Sequence, residues 1–291
     1  MNHIHVSVII PAYNREKTIK YCLDSVLGQS YPYFEVIIVD DASSDNTVNI
    51  IKSYQDERIK LIEQKENRGA QHCRNVGIKN AQYDWIAFLD SDDTWNNDKL
   101  AKQIEELKKW NTPYIVIHSD ALLIDTINKE EKIFGISRTE GENVYPLLLT
   151  RPAPMFQAIL TSKQALHEIG YLDENVPSYQ EWDTSIRLAK ICRFIQLPSP
   201  TFSYYYHTGE TISKNKLRDL QGYDYIMTKF KADIFKYHGK RQWKQHLLIQ
   251  YDKCMNWKMY KEAFHYLNLY PLCSKKIELY YEFFKDCIKN R

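Results

Sequence analysis

The residues best placed to do chemistry are three carboxylates bunched behind an apolar run. In Trp85-Ile-Ala-Phe-Leu-Asp-Ser-Asp-Asp-Thr94 the hydrophobic residues 86–89 empty directly into Asp90, Asp92 and Asp93. Carboxylates this close, with no Lys or Arg beside them, repel one another unless a cation joins them. The carboxyl end of a strand in an open α/β sheet is also where ligands bind. An Asp-x-Asp there points to a hard divalent ion, Mg²⁺ or Mn²⁺, which takes one or two carboxylates and completes its shell with substrate phosphates and water. The competing reading is a solvated acidic turn that caps the next helix.

Two more acidic sites fall at element ends: Asp40-Asp41 behind residues 34–39, and Glu181 with Asp183 at the start of a helical stretch. The first of these can converge with Asp90 on one crevice only if both strands are parallel members of a single sheet.

The pattern around them predicts that arrangement. Val6-Ser-Val-Ile-Ile10 reads as a parallel strand covered on both faces and ending at Pro11, with a helix over residues 17–27. A second buried strand covers residues 34–39, and Ser43 or Ser44 is expected to cap a helix running to about Tyr54. A strand at 58–63, a turn at Asn67-Arg-Gly69 and a helix at 71–80 lead to the strand that ends at Asp90. Strand and helix alternate four times over short connections, so the fold class is α/β with a mostly parallel sheet and helices on both faces. Further on we expect a helix at 98–110, a strand at 114–118 and a hairpin over 121–136. Helices at 165–169 and 181–191 and strands at 194–197 and 202–206 complete this region. From about Leu217 the chain turns Tyr- and Lys-rich with helical periodicity and few turn signals before Pro271, which places a boundary between residues 1–215 and 216–291.

Charge sharpens that division. The chain carries a net +2, but residues 214–291 hold 17 Lys/Arg against 8 Asp/Glu, leaving 22 against 29 before them. No basic groove with interleaved stacking residues argues for nucleic acid. The six cysteines include no C-x-x-C pair and read as reduced, mostly buried thiols of a cytosolic protein. Neither a signal peptide nor an apolar run near the ~20 residues of a membrane span is visible. The expectation is a cytoplasmic chain, at most peripheral at the inner face of the plasma membrane.

Five stretches together resemble a known family: Val-Ile-Ile-Pro-Ala-Tyr-Asn14, Val-Asp-Asp-Ala-Ser-Ser-Asp45, Asn-Arg-Gly69 with Arg74-Asn75, Leu-Asp-Ser-Asp-Asp93, and Gln-Glu-Trp-Asp183 with Arg187. In that order they are similar to the family 2 inverting glycosyltransferases of GT-A fold, over roughly residues 4–215. The resemblance implies a UDP-sugar donor and a glycan or lipid-linked saccharide acceptor, with a role in cell-surface polysaccharide assembly. Pro11, Ala12 and Tyr13 would line the base, Tyr13 by stacking, and Asp41 would accept the uracil imide N–H. Arg68 and Arg74 would contact diphosphate or nucleotide, with Arg74 as a plain surface helix residue the alternative. Asp90 and Ser91 would face ribose or sugar, and Asp92 or Asp93 would ligate Mn²⁺ or Mg²⁺.

The family commonly has Glu-Asp ahead of the Trp-Asp, and here the pair is Gln180-Glu181. Glu181 then takes the general-base position, one methylene longer, with Asp183 as competing base or orienting group. His207 resembles a family histidine that ligates metal or donates to phosphate, against a structural role. Trp182 fits the core better than the acceptor site. Residues 216–291 suit a contact with an anionic membrane surface, an oligomer-forming face, or a solvated helical tail. A nucleotide-sugar-binding scaffold without turnover is the rival reading from another class. A nucleotidyltransferase is disfavoured, because the first strand meets Pro-Ala-Tyr-Asn-Arg and not a Gly-rich basic turn.

Overall fold

The computed structural model describes residues 3–135, 138–206, 215–270 and 274–289. The chain forms two compact units, residues 1–210 and 211–291.

The first unit alternates as its hydrophobic pattern requires: β1 (Val6–Ala12), α1 (Ile19–Leu27), β2 (Phe34–Asp40), α2 (Thr47–Lys52), β3 (Ile59–Glu63), α3 (Ala70–Asn80) and β4 (Trp85–Phe88). After these come β5 (Thr94–Trp95), α4 (Lys99–Leu107), β6 (Ile115–His118), β7 (Ala121–Asp125), β8 (Glu130–Phe134) and α5 (Tyr145–Leu148). The unit closes with β9 (Leu160–Ser162), α6 (Lys163–Glu168), α7 (Gln180–Leu188), β10 (Arg193–Gln196) and β11 (Phe202–Tyr206). One seven-stranded sheet runs in the order β10-β6-β9-β4-β1-β2-β3. Its neighbours are parallel except around β9, which is antiparallel to both β4 and β6. A second sheet, β5-β11-β7-β8, contains the expected hairpin as the antiparallel pair β7 and β8.

Two local expectations are corrected, and two short strands are added. β1 does not stop at Pro11 but runs through it to Ala12, still in register with β2. Its ladder with β4 ends at Ile9, and Ala12 directs its carbonyl to Asp41 on the β2 side. Alternation therefore turns the ring nitrogen of Pro11 to the side where β4 has departed, and no ladder bond is lost. Neither Ser43 nor Ser44 caps α2, which begins at Thr47. The Asp45 carboxylate accepts the Thr47 N–H at 2.9 Å, while Ser43 Oγ accepts the N–H of Asn14. The strands β5 and β9 are too short to show a period. β9 carries a fully buried Thr161, whose hydroxyl donates to the Ile115 carbonyl at 2.8 Å.

The second unit consists, among its described residues, of α8 (Lys216–Lys229), α9 (Lys231–Asn256), α10 (Tyr260–Leu269) and α11 (Ser274–Lys289). Leu247, Tyr251, Leu267, Leu279 and Phe283 form its apolar centre. Gly239, with φ 67°, breaks α9 into two helical segments, a left-handed conformation that glycine adopts without steric cost. No helix among the described residues is long and apolar enough to cross a membrane.

Candidate functional site

Parallel pairing brings the ends of β1, β2 and β4 to one edge of the sheet, and the sequence motifs meet there. Pro11 and Ala12 are buried, whereas Tyr13, just beyond β1, is 44% exposed and leaves a ring available for stacking. The loops after β1 and β2 are laced together. Asn14, in a left-handed conformation, donates its N–H to Ser43 Oγ at 2.9 Å and accepts the Ser44 N–H at 2.9 Å. Arg15 N–H reaches Thr47 Oγ1 at 2.6 Å.

The two adjacent aspartates have separate tasks. Asp40 accepts the Ser43 N–H at 3.0 Å and so makes the expected turn, while its buried Oδ1 has no hydrogen-bond partner. Asp41 accepts the N–H groups of Arg68 and Gly69, each at 2.8 Å, and thereby sets the turn ahead of α3. The Arg68 guanidinium is half exposed and approaches Glu174 at 3.9 Å.

α3 turns Gln71, Arg74 and Asn75 inward, all nearly fully buried. Arg74 is thus no surface residue. It is ion-paired with Asp90, donates to Gln71 Oε1 at 2.8 Å and to Gln180 Oε1 at 3.4 Å, and lies 4.4 Å from the centre of the Phe156 ring. Asn75 holds the segment before α7 by exchanging hydrogen bonds with the backbone of Leu172 and donating to Glu174 at 2.8 Å.

The premise that the carboxylate cluster lacks a basic neighbour is therefore corrected. Asp90 faces Arg74, and Asp92 lies 3.4 Å from Arg15. A residue that the sequence did not flag completes the arrangement. Gln157, 3% exposed, donates its amide to Asp90 Oδ2 at 2.8 Å and also to Asp93 Oδ2. The backbone carbonyl of Gln157 accepts from the Trp95 indole at 3.2 Å. The other oxygen of Asp93 accepts the Tyr205 N–H at 3.1 Å. Burial, with the charges of Asp92 and Asp90, pushes the Asp93 carboxyl well above the ordinary carboxylate range. Ser91 is buried between these groups in sequence. Neither Gln157 nor Arg15 sits on a periodic stretch, so local pattern does not mark either as a partner of the cluster. Only the flanking prolines of Arg-Pro-Ala-Pro154 marked the Gln157 region as irregular.

The donor set can be compared with the needs of a divalent ion. Among the described residues no three His, Cys, Asp or Glu side chains are grouped as a complete metal site. Mg²⁺ and Mn²⁺ do not need one when phosphates supply the remaining oxygens. Asp92, with its side chain 20% exposed, is open to such an ion, and the nearly buried Asp93 stands beside it in sequence. Arg15 Nε, Arg74 Nε and Gln71 Nε2 are buried donors without partners, which marks the polar surroundings as incomplete. The residues fit the group. His207 lies outside the described residues.

At the start of α7 the two candidate bases differ sharply. Glu181 is partly buried, and its carboxyl is raised from the ordinary value by burial, with Arg74 opposing and Asp90 adding to the shift. Asp183 is fully buried and bound to Arg187 at 2.8 Å, and Arg187 also donates to the carbonyls of Ile169 and Tyr171. Trp182 is fully buried with its indole donating to the Leu148 carbonyl at 2.6 Å, which makes it a core residue.

Replacing Arg74 by Met should leave Asp90 charged without its partner and lower stability by about 3 kcal/mol, the lower end for breaking a buried pair because Asp90 keeps some solvent. Urea unfolding followed by tryptophan fluorescence measures it. A loss below about 1 kcal/mol would show that the pair is dispensable.

Comparison with known proteins bears on family and fold. The model of glycosyl transferase family 2 matches residues 7–151. The chain is 32% identical over 219 residues to the Escherichia coli UDP-Glc:alpha-D-GlcNAc-diphosphoundecaprenol beta-1,3-glucosyltransferase WfaP, covering 74% of this chain and 82% of WfaP. It is 43% identical over 115 residues to the enzyme of the same description, WfgD, also from E. coli, covering 40% of this chain and 46% of WfgD. The match thus spans under half of that relative. S. aureus TarS 1–349 in complex with UDP-GlcNAc superposes with TM-score 0.62 at 20% identity, over 92% of this chain and 84% of TarS. The mannosyltransferase PcManGT from Pyrobaculum calidifontis, in complex with GDP-Man and Mn²⁺, gives TM-score 0.61 at 20% identity, over 91% and 74%. These two share the GT-A fold with the chain. With its motifs gathered at one sheet edge and a relative aligned over most of its length, this chain belongs to glycosyl transferase family 2.

Proposed function

We propose that the chain transfers one sugar from a UDP-sugar to a hydroxyl of a glycan or lipid-linked saccharide, with inversion, in cell-surface polysaccharide assembly. The observation that carries this reading is the shared sheet edge, where an exposed Tyr13, the Asp41 turn, the Asp90–Asp93 cluster and Arg74 all meet. Glu181 belongs with them through the charges of Arg74 and Asp90.

In this reading Tyr13 stacks on the base above Pro11 and Ala12. Asp41 accepts the uracil imide N–H with a lone pair left over from its two backbone bonds. Arg68 is the exposed cation for the diphosphate, and Arg74 acts by holding Asp90 toward ribose or sugar beside Ser91. Asp92 is the direct metal ligand, and Asp93 is the buried anchor that fixes the loop. A divalent ion, when bound, neutralises charge on the leaving diphosphate. Glu181 takes the proton of the attacking hydroxyl, since a carboxyl without solvent access, such as Asp183, cannot meet an incoming acceptor. The protein works at the cytoplasmic face of the membrane. There α11 presents Ile277, Tyr281 and Phe284 at i, i+4 and i+7, all more than half exposed, on a unit rich in Lys.

Glu181→Gln should lower kcat by about 10²–10⁴-fold in an assay of UDP release with acceptor. A carboxyl raised by burial binds its proton more tightly in the folded state, so its contribution to stability is present at low pH and lost as pH rises through the folded pKa. The substitution should therefore hold or raise the melting temperature at pH 7. The raised pKa also places the acid limb of kcat/KM above the ordinary Glu value of 4.5, activity falling as pH drops through it. Retained turnover in Glu181→Gln would transfer the base role elsewhere.

Asp92→Asn should weaken Mn²⁺-dependent UDP binding at least tenfold in calorimetry and leave metal-free binding nearly unchanged. Equal loss with and without metal would exclude Asp92 as a ligand. UDP binding with no donor cleavage or transfer would favour the scaffold.

In vesicle sedimentation, anionic lipid should retain the protein better than neutral lipid, and the triple change Ile277→Ser, Tyr281→Ser, Phe284→Ser should abolish that difference. An undiminished preference of the triple variant for anionic lipid would separate α11 from the membrane.

A further inference from the structure

The helical unit contains a cavity of about 150 Å³ walled by α8, α9 and α10. An engineered cavity of about this volume admits benzene, so one six-membered ring fits. Unlike that apolar example, this wall carries Asp224, Gln250, His246 and His265 beside the ring of Trp243. Asp224 accepts from Tyr266 Oη at 2.6 Å and from Gln250 Nε2 at 3.2 Å, leaving further lone pairs on both carboxylate oxygens. The second atom of the Gln250 amide, Oε1, is buried with no donor in reach. A polar wall with an unsatisfied acceptor is an incomplete hydrogen-bonding site.

The charges and shape select the ligand. An anion such as phosphate would meet the Asp224 carboxylate. A cation would enter a region, residues 214–291, that holds 17 Lys/Arg against 8 Asp/Glu. A purely apolar guest would cut the Asp224 carboxylate off from water. A neutral ring bearing several hydroxyls avoids all three penalties. Its O–H groups donate to the acceptors, and its C–H face packs on the indole. We infer that this cavity binds a single neutral sugar ring, a hexose or N-acetylhexosamine residue. The inference stands on the helical unit alone and does not require the transfer reaction.

Saturation-transfer NMR on the full chain tests it, with UDP and Mn²⁺ in excess and methyl glucoside or N-acetylglucosamine as probes. Binding is expected on the order of 1 mM, with saturation of the ring protons. Asp224→Asn, which still offers Tyr266 an acceptor, and Gln250→Leu should each weaken it at least tenfold. His265→Ala, at an exposed position, should weaken it severalfold with an unchanged melting curve and so covers the case in which a buried substitution unfolds the unit. Absence of saturation in the wild-type protein would overturn the inference. So would undiminished binding in the folded variants, or displacement of the sugar by inorganic phosphate or ethylammonium. Because the readout is binding, an inactive transferase that still passes this test would sink only the transfer reading.

Discussion

Three carboxylates within four residues of one strand end repel each other, and the crevice depends on how that repulsion is held. Arg74 neutralises Asp90 from α3, Arg15 approaches Asp92 from the loop after β1, and the Gln157 amide joins Asp90 to Asp93. An amide can do this because its NH₂ group carries two donors and no charge. Asp93 is bound from a second direction by the backbone of β11, so the acidic loop is tied to both sheets. Asp92 pairs with Arg15 at 3.4 Å and keeps 20% of its side chain exposed. The arrangement fixes the loop before any ligand arrives, which lowers the ordering cost of binding.

α3 carries the connection from this loop to the candidate base. Arg74 reaches Asp90 on one side and Gln180, the first residue of α7, on the other. Asn75 holds the segment that precedes α7, and Arg187 binds its backbone from within that helix. Glu181 is therefore positioned by groups that also hold the carboxylate cluster. The same logic explains why two acids two residues apart differ. Asp183 is consumed by Arg187 inside the core, whereas Glu181 keeps part of its surface and feels Arg74 and Asp90.

The helical unit is organised on different terms. Its centre is apolar and aromatic, but its cavity retains a carboxylate, an amide and two histidines. Buried polar groups of this kind cost stability unless fully paired, and Gln250 Oε1 is not.

The order of strands and helices in the first unit was legible because both faces of a parallel sheet are covered, so its strands are long apolar runs that announce themselves. The resemblance to the family, and with it the list of acidic positions, was equally legible from five local motifs. The antiparallel β9 and the two-residue β5 were not, since strands that short have no period and exist only through their neighbours. The partners of the acids were also invisible. Gln157 lies 67 residues from Asp90, and Arg74 and Gln180 are separated by 106. By itself the sequence determined which residue types stand at which strand ends, a matter of local pattern. Only the tertiary structure decided which distant groups hold the carboxylates at Asp90-Ser-Asp-Asp93, because hydrogen bonds and ion pairs between distant segments form only when the packed core brings them within reach.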